Sequence, residues 1–136
     1  MKRIHASAGY ALFAGDLAAF LLFTYYGKRA HGLPADAPGI LETAAPFLLG
    51  WLAAALLLRL YRPNAYERPG RLILITVAAW TVAAPIGLII RALWLGTPIT
   101  LMFAAVAYGI MLVFLLGWRI PFGIVHALIR RRTAPR

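Results

Sequence analysis

The sequence predicts an all-α fold, a bundle of four transmembrane helices, and three observations support this prediction. Apolar residues make up 62% of the chain and charged residues 13%, whereas a soluble globular domain has about 45–50% and about 25%. Four segments are apolar and long enough to cross a membrane, which takes about 20 helical residues for about 30 Å of hydrocarbon. Glycines and prolines, which are typical of loops, cluster between these segments. The composition excludes a disordered chain and an ordinary water-soluble domain.

The predicted spans are helices because backbone groups in lipid must find their hydrogen-bond partners within the segment itself. They cover residues 9–27, 43–61, 72–95 and 99–118. The link Gly96–Pro98 is so short that the third and fourth spans should be antiparallel neighbours. Pro46 falls in the first turn of its predicted helix, where proline is tolerated. Pro85 falls in the middle of the third span, where it should bend the helix.

The four spans are predicted to form one membrane domain, residues 1–119, which a separate tail follows. Residues 120–136 form a basic tail in which Ile124, Leu128 and Ile129 recur at helical spacing. This tail is either an interfacial helix lying on the headgroups or a frayed end of the fourth helix. At the other end, a signal peptide is the rival interpretation of the first span, but Asp16 interrupts its apolar run.

The distribution of positive charge predicts the orientation of the spans. Lysine and arginine concentrate in cytoplasmic loops; with a cytoplasmic N-terminus, the inside segments hold ten of them and the outside segments two, Lys28 and Arg29. The ten are Lys2, Arg3, Arg62, Arg68, Arg71, Arg119, Arg130, Arg131, Arg132 and Arg136. We therefore expect a multi-pass protein of a cell membrane with both termini cytoplasmic. The net charge of +10 indicates contact with anionic lipid headgroups rather than with nucleic acid.

Ionisable side chains in or beside the spans are costly in lipid and are therefore the candidate functional residues. We expect a polar network, functional or structural, of Asp16, Arg29, His31, Glu42, Arg59, Arg91 and Arg119. At about 1.5 Å per residue, Asp16 should meet Arg59 and Arg119 in the cytoplasmic half and pair with one of them. The other four gather at the outer end, where Glu42 should pair with Arg91 and also suits a helix N-terminus.

Two interpretations of this network compete. In the structural interpretation, the ion pairs lock the helices together. In the functional interpretation, the two groups mark the ends of a proton or anion route, with His31 titrating near neutrality. The midplane between them offers only Trp80, Thr81 and Tyr108. This is little polar lining for a route, and it favours the structural interpretation.

Known catalytic and metal-binding patterns are missing from the sequence. The chain has no cysteine and a single serine, Ser7, which excludes disulfides and thiolate zinc sites and argues against a serine nucleophile. No phosphate-binding glycine loop, H-E-x-x-H or G-x-S-x-G pattern occurs. We therefore expect no catalytic residues, no metal and no other cofactor. Trp51, Trp94 and Trp118 lie near span ends and should form aromatic belts; stacking on a pigment or quinone is the alternative.

Small residues recur four positions apart in every span, a spacing that lets helices approach closely. Four short helices bury limited area between them, so a homo-oligomer or a larger membrane complex would add stability. We expect a small integral membrane protein without enzymatic activity, either an accessory or assembly subunit or a small oligomer. The alternative is a small transporter or channel for an anion or protons.

Several short motifs lie in a particular order along the chain. They are Gly15-Asp16-Leu17, Gly27-Lys28-Arg29-Ala30-His31, Glu42-Thr43-Ala44-Ala45-Pro46-Phe47 with Gly50-Trp51, Pro85-Ile86-Gly87-Leu88 with Arg91, and Gly117-Trp118-Arg119. In order and spacing they resemble the domain-of-unknown-function 3054 family of prokaryotic membrane proteins. The resemblance runs from about Ala14 to Arg119. It implies four helices in a prokaryotic inner membrane and implies no reaction.

Overall fold

A computed structural model describes residues 2–135. Arg136, one of the ten residues counted in the predicted charge bias, lies outside the described residues. Its helices are α1 (Lys2–Ala30), α2 (Ala37–Leu58), α3 (Pro63–Tyr66), α4 (Pro69–Leu95) and α5 (Leu101–Thr133). No strand occurs among the described residues. The helices α1, α2, α4 and α5 are each long and apolar enough to cross a membrane. The predicted all-α fold with four spans is confirmed.

The helix α2 begins six residues earlier than the predicted second span. Asp36 has an extended backbone and proline stands in the first turn, an arrangement that starts a helix because proline's missing N–H is not needed there. The prediction that Pro46 lies in the first turn is therefore wrong, and Pro46 is buried inside α2. At the start of α5, the Thr100 hydroxyl accepts a hydrogen bond from the Phe103 N–H at 3.3 Å, as an N-cap does.

The helix α5 continues without a break from Leu101 to Thr133, so the basic tail extends the fourth span instead of forming a separate element. Its 33 residues correspond to about 50 Å at about 1.5 Å per residue. This exceeds the hydrocarbon thickness of about 30 Å, so the last turns of α5 extend beyond it. Three arginines, Arg130 to Arg132, lie in the last turn, where positive charge complements the helix dipole.

The four long helices pack in a ring, because α1 contacts α2, α2 contacts α4, α4 contacts α5 and α5 contacts α1. The closest approach is between α2 and α4. A Cβ atom added to Gly50 would lie 2.6 Å from the carbonyl oxygen of Ala83, and one added to Gly87 would lie 3.0 Å from the Cα of Phe47. Glycine at both positions therefore lets the two backbones touch.

The interior is built around three aromatic side chains, Phe20, Trp51 and Trp80, each about 1% exposed. The Phe20 ring centroid lies 5.7 Å from that of Trp51 and 5.8 Å from that of Trp80. The prediction that Trp51 belongs to an aromatic belt is wrong. Trp51 lies near the end of the predicted span, but the face of α2 on which it lies points into the protein.

One end of the molecule gathers both chain ends and α3. The Tyr66 hydroxyl donates a hydrogen bond to the carbonyl oxygen of His5 at 3.0 Å, and Arg130 lies 3.6 Å from the Glu67 carboxylate. We call this the terminal end. The opposite end, which carries the α1–α2 and α4–α5 connections, is the loop end.

Candidate functional site

Asp16 of α1 and Arg119 of α5 form a buried ion pair near the terminal end. The Arg119 Nε donates to Asp16 Oδ1 at 2.9 Å, and Arg119 Nη2 donates to Asp16 Oδ2 at 2.6 Å. The side chains are 1% and 0% exposed. Two parallel charge-assisted hydrogen bonds of this kind are the strongest geometry available to an arginine and a carboxylate. The predicted Asp16–Arg119 pair is confirmed, and the alternative with Arg59 is not what forms.

Three more side chains complete what we call the Asp16 network, namely Trp51, Tyr61 and Thr76. The Tyr61 hydroxyl donates to Asp16 Oδ2 at 2.6 Å and accepts from Trp51 Nε1 at 2.9 Å. Arg119 Nη1 donates to the Thr76 hydroxyl at 3.2 Å, and that hydroxyl donates to the carbonyl oxygen of Leu72 at 2.6 Å. The network thus ties α1, α2, α4, α5 and the segment after α2 to one point.

Aromatic rings contact the Arg119 guanidinium, and the charge of Asp16 helps keep the Tyr61 hydroxyl protonated. The Arg119 guanidinium lies 5.3 Å from the Trp51 ring centroid and 5.8 Å from that of Tyr61, distances at which cation–π attraction acts. Tyr61 lies in the connection after α2. Its burial, and next the negative charge of Asp16, raise the pKa of Tyr61 above its ordinary value. The Tyr61 hydroxyl therefore stays protonated and keeps donating to Asp16.

The residues adjacent to the ion pair also pack against each other. A Cβ atom on Gly15 would lie only 1.9 Å from the Trp118 ring, so glycine is required where that ring crosses α1. Two adjacent residues of α1 therefore contact two adjacent residues of α5. Gly15 leaves the space that the Trp118 ring fills, and the Asp16 carboxylate pairs with the Arg119 guanidinium. Two of the motifs in the family resemblance meet at this point, although Asp16 and Arg119 are 103 residues apart in the chain.

Arg91 is partnered differently from its prediction. Its Nη1 donates to the Thr97 hydroxyl at 3.3 Å, and its guanidinium lies 4.4 Å from the Phe103 ring centroid. No ion pair joins Arg91 to Glu42 in the described part of the chain, so the predicted pair is wrong. Since α2 begins at Ala37, Glu42 is not at the helix N-terminus, and its side chain is exposed.

The remaining predicted residues lie apart from the Asp16 network. Arg29 is exposed, with its guanidinium 5.9 Å from the Tyr25 ring centroid. His31 is exposed in the turn after α1. Arg59 is also exposed and ends α2 in the left-handed conformation, with φ 53°, which most residues avoid. That turn redirects the chain so that Tyr61 reaches Asp16.

A histidine outside the Asp16 network, His126, is also buried, at the terminal end. It stacks on Phe122 with ring centroids 5.9 Å apart and meets the edge of Tyr66 at 5.3 Å. Neither ring nitrogen of His126 has a hydrogen-bond partner among the described residues. Within residues 2–135, no group of three or more His, Cys, Asp or Glu side chains is placed to hold a metal ion.

The fold and the Asp16 network together define a small multi-pass helical membrane protein with an internal ion pair. The chain belongs to the family described as protein of unknown function (DUF3054), whose model matches residues 13–122. The resemblance stated from the motifs is thereby confirmed over a slightly longer stretch. No curated protein and no solved structure matches the chain.

Proposed function

We propose that this protein is a non-enzymatic integral protein of a prokaryotic cell membrane. It associates with a second copy of itself through the outer face of α5. The single observation that carries the proposal is that α5 has a row of small residues which nothing in the monomer covers. Ala105 and Gly109, four positions apart, are exposed, and so is Gly117, with the exposed Val113 between them. A Cβ atom on Gly109 or Gly117 would meet no atom within 4 Å.

Three glycines of the other long helices are covered within the monomer, whereas Gly27 of α1 and Gly70 of α4 are open. Gly15 receives Trp118, and Gly50 and Gly87 receive the backbone of the neighbouring helix. In α5, 17% of the most apolar stretch is buried, against 28–39% in the other three long helices. Small residues four apart support close helix crossing in lipid, because packing and not hydrophobicity drives association there. The uncovered row on α5 is therefore the surface best suited to a partner helix.

The Asp16 network supports the same proposal from inside the protein. Both oxygens of Asp16 and all three nitrogens of Arg119 are engaged with partners in the protein. Because these bonds hold α5 against α1, they fix the face that α5 turns outward. This supports a structural role for the network and a rigid platform for association.

Transport of an anion or protons, the alternative function, has less support. Along α1, Phe20 stands one turn after Asp16, and its ring contacts Trp51 and Trp80. All three rings are buried. They fill the interior between the Asp16 network and the loop end, where a route for ions would need polar lining or water.

Association can be measured by energy transfer between labelled copies in liposomes. Because the chain has no cysteine, Ala134→Cys offers a single labelling position beyond α5. We expect transfer above random encounter, and Gly117→Leu should weaken association about tenfold, the effect of about 1.4 kcal/mol. The matched control is Ala18→Leu, which enlarges an exposed residue of α1 and should change nothing.

Two results would contradict the proposal. One is transfer no higher than random encounter for the unaltered protein, and the other is equal transfer in Gly117→Leu. A species much larger than a dimer on a native gel from mild detergent would instead place the protein in a larger membrane complex, and self-association through α5 would then be wrong.

A further inference from the structure

We infer that a cavity at the loop end binds one membrane lipid with an anionic headgroup, with the acyl chain inside the cavity and the headgroup on Arg91 and Lys28. This inference is independent of self-association through α5. It concerns the space between the helices, whereas association concerns the outer face of α5.

The cavity has the size and the walls that a hydrocarbon chain requires. Its volume is about 460 Å³, within the range of about 300–1,000 Å³ typical of small-molecule sites. All four long helices contribute to it, and the apolar walls include Phe23, Phe47, Phe103, Val106 and Ile110. The Thr24 hydroxyl, which also lines the cavity, is already engaged with the carbonyl oxygen of Phe20 at 2.9 Å. An apolar space of this size is better filled by hydrocarbon than by water.

The ionisable groups that line the cavity are all basic side chains. They are Lys28, His31 and Arg91, and no carboxylate lines the cavity. The acidic residues of the α1–α2 region, Asp36 and Glu42, are exposed and outside the lining. Lys28 and Asp36 both approach Gly39 but form no ion pair in the described structure. Asp36 therefore lies near Lys28, and the charge that the cavity presents without a nearby carboxylate, next to apolar walls, is that of Arg91.

Arg91 has donor capacity that the protein leaves unused. Its Nε is buried without a hydrogen-bond partner among the described residues, and its bond to Thr97 is long, at 3.3 Å. A buried donor without a partner is unfavourable, and an anionic oxygen is the partner that best satisfies a guanidinium. A phosphate oxygen beside Arg91 would meet this need.

The apolar walls and the basic side chains of the cavity together favour one class of ligand. A soluble anion would satisfy Arg91 but leave the apolar walls uncovered. A neutral chain would fill the walls but leave the Arg91 Nε without a hydrogen-bond partner. A lipid with an anionic headgroup satisfies both. Such lipids surround any membrane protein, so the ligand is available without a separate route of delivery.

Lipid retention by the full chain in mild detergent tests the inference, with native mass spectrometry as the readout. The probes are phosphatidylglycerol and phosphatidylcholine with identical acyl chains. We expect one retained phosphatidylglycerol per chain and about tenfold weaker retention of phosphatidylcholine, a difference of about 1.4 kcal/mol. Equal retention of the two lipids would overturn the inference. Retention of oleate in place of phosphatidylglycerol would also overturn it and would assign the cavity to a free fatty carboxylate.

Two variants locate the bound lipid, each with a matched control. Arg91→Gln removes the charge, and Gly27→Leu fills the cavity from a lining position where a Cβ meets no atom within 4 Å. Both should lower retention about tenfold. The controls are Arg132→Gln and Gly70→Leu, exposed positions at the terminal end, which should retain lipid normally. Unchanged retention in Gly27→Leu would overturn the inference; if Arg91→Gln does not fold, Lys28→Gln takes its place.

Discussion

Asp16 and Arg119 show how two charges can remain inside an apolar protein. A single buried charge has a desolvation penalty of several kcal/mol, and pairing offsets this only when the geometry is good and the remaining polar atoms are satisfied. Both conditions hold here, because Tyr61 and Thr76 occupy positions on the ion pair that Asp16 and Arg119 leave open. The pair is therefore sensitive to the loss of either partner and tolerant of the loss of both.

We expect Asp16→Leu to lower the free energy of unfolding by about 3–5 kcal/mol, because it leaves the Arg119 charge buried and unpaired. The double variant Asp16→Leu/Arg119→Met should recover most of this loss, since it removes both charges. The measurement is unfolding by sodium dodecyl sulfate in mixed micelles, followed by circular dichroism. Glu42→Gln, at an exposed carboxylate, is the control and should stay within about 0.5 kcal/mol. A double variant as unstable as Asp16→Leu would show that the pair itself stabilises the fold.

Residue by residue, the candidate site was only partly predictable. Counting residues along a helix gives depth, and depth was enough to bring Asp16 near Arg59 and Arg119 but not to choose between them. Depth does not say which face a side chain occupies, and this is why the expected Glu42–Arg91 pair was wrong. Tyr61 was missed because it reaches Asp16 through the left-handed turn at Arg59, a conformation that glycine would have signalled.

At the scale of helices, the contact between α2 and α4 depends on two glycines. Gly50 lies against the Ala83 carbonyl and the Gly87 backbone, while Gly87 lies against Phe47 and Pro46. Because backbone atoms cannot rotate away as a side chain can, an added methyl group would push the helices apart. In water this separation would be opposed by hydrophobicity, whereas in lipid close packing is itself the main attraction.

We expect Gly50→Ala to destabilise the protein by about 1–3 kcal/mol through overpacking. Gly27→Ala is the matched control, because a Cβ there meets no atom within 4 Å. It should stabilise the protein by about 0.5–1 kcal/mol, the usual gain from replacing glycine inside a helix. Thermal unfolding in detergent, followed by tryptophan fluorescence, measures both. Opposite signs support the backbone contact, and equal shifts for the two variants would contradict it.

Helix type was easier to predict from the sequence than helix ends. Four long runs of apolar residues indicate four spans, and these spans are helices because a bilayer allows few other backbone structures. The ends depend on local chemistry that hydropathy does not show. The helix α2 begins at Ala37, between Asp36 and Pro38 and before its apolar run. The helix α5 continues through Pro121 and the arginines, beyond the end of its own apolar run.

For the whole molecule, the placement of charge also predicts which side of the membrane each end faces. Arg119 was counted among the ten cytoplasmic cations, but it is buried beside Asp16. Arg59 was left out of that count and is exposed at the terminal end. Exchanging the two leaves the predicted cytoplasmic count at ten, of which Arg136 lies outside the described residues, against three at the loop end, Lys28, Arg29 and Arg91. The predicted bias therefore survives the correction.

This bias predicts a cytoplasmic terminal end, and with it a loop-end cavity that opens at the level of the outer leaflet. A green fluorescent protein fused after Arg136 should fluoresce, and alkaline phosphatase fused there should be inactive, because each reporter works on only one side of the inner membrane. Inserted after Gly32, in the α1–α2 connection, the same reporters should give the opposite signals. Phosphatase activity at Arg136 would reverse the orientation, and the lipid bound at Arg91 would then have to come from the inner leaflet.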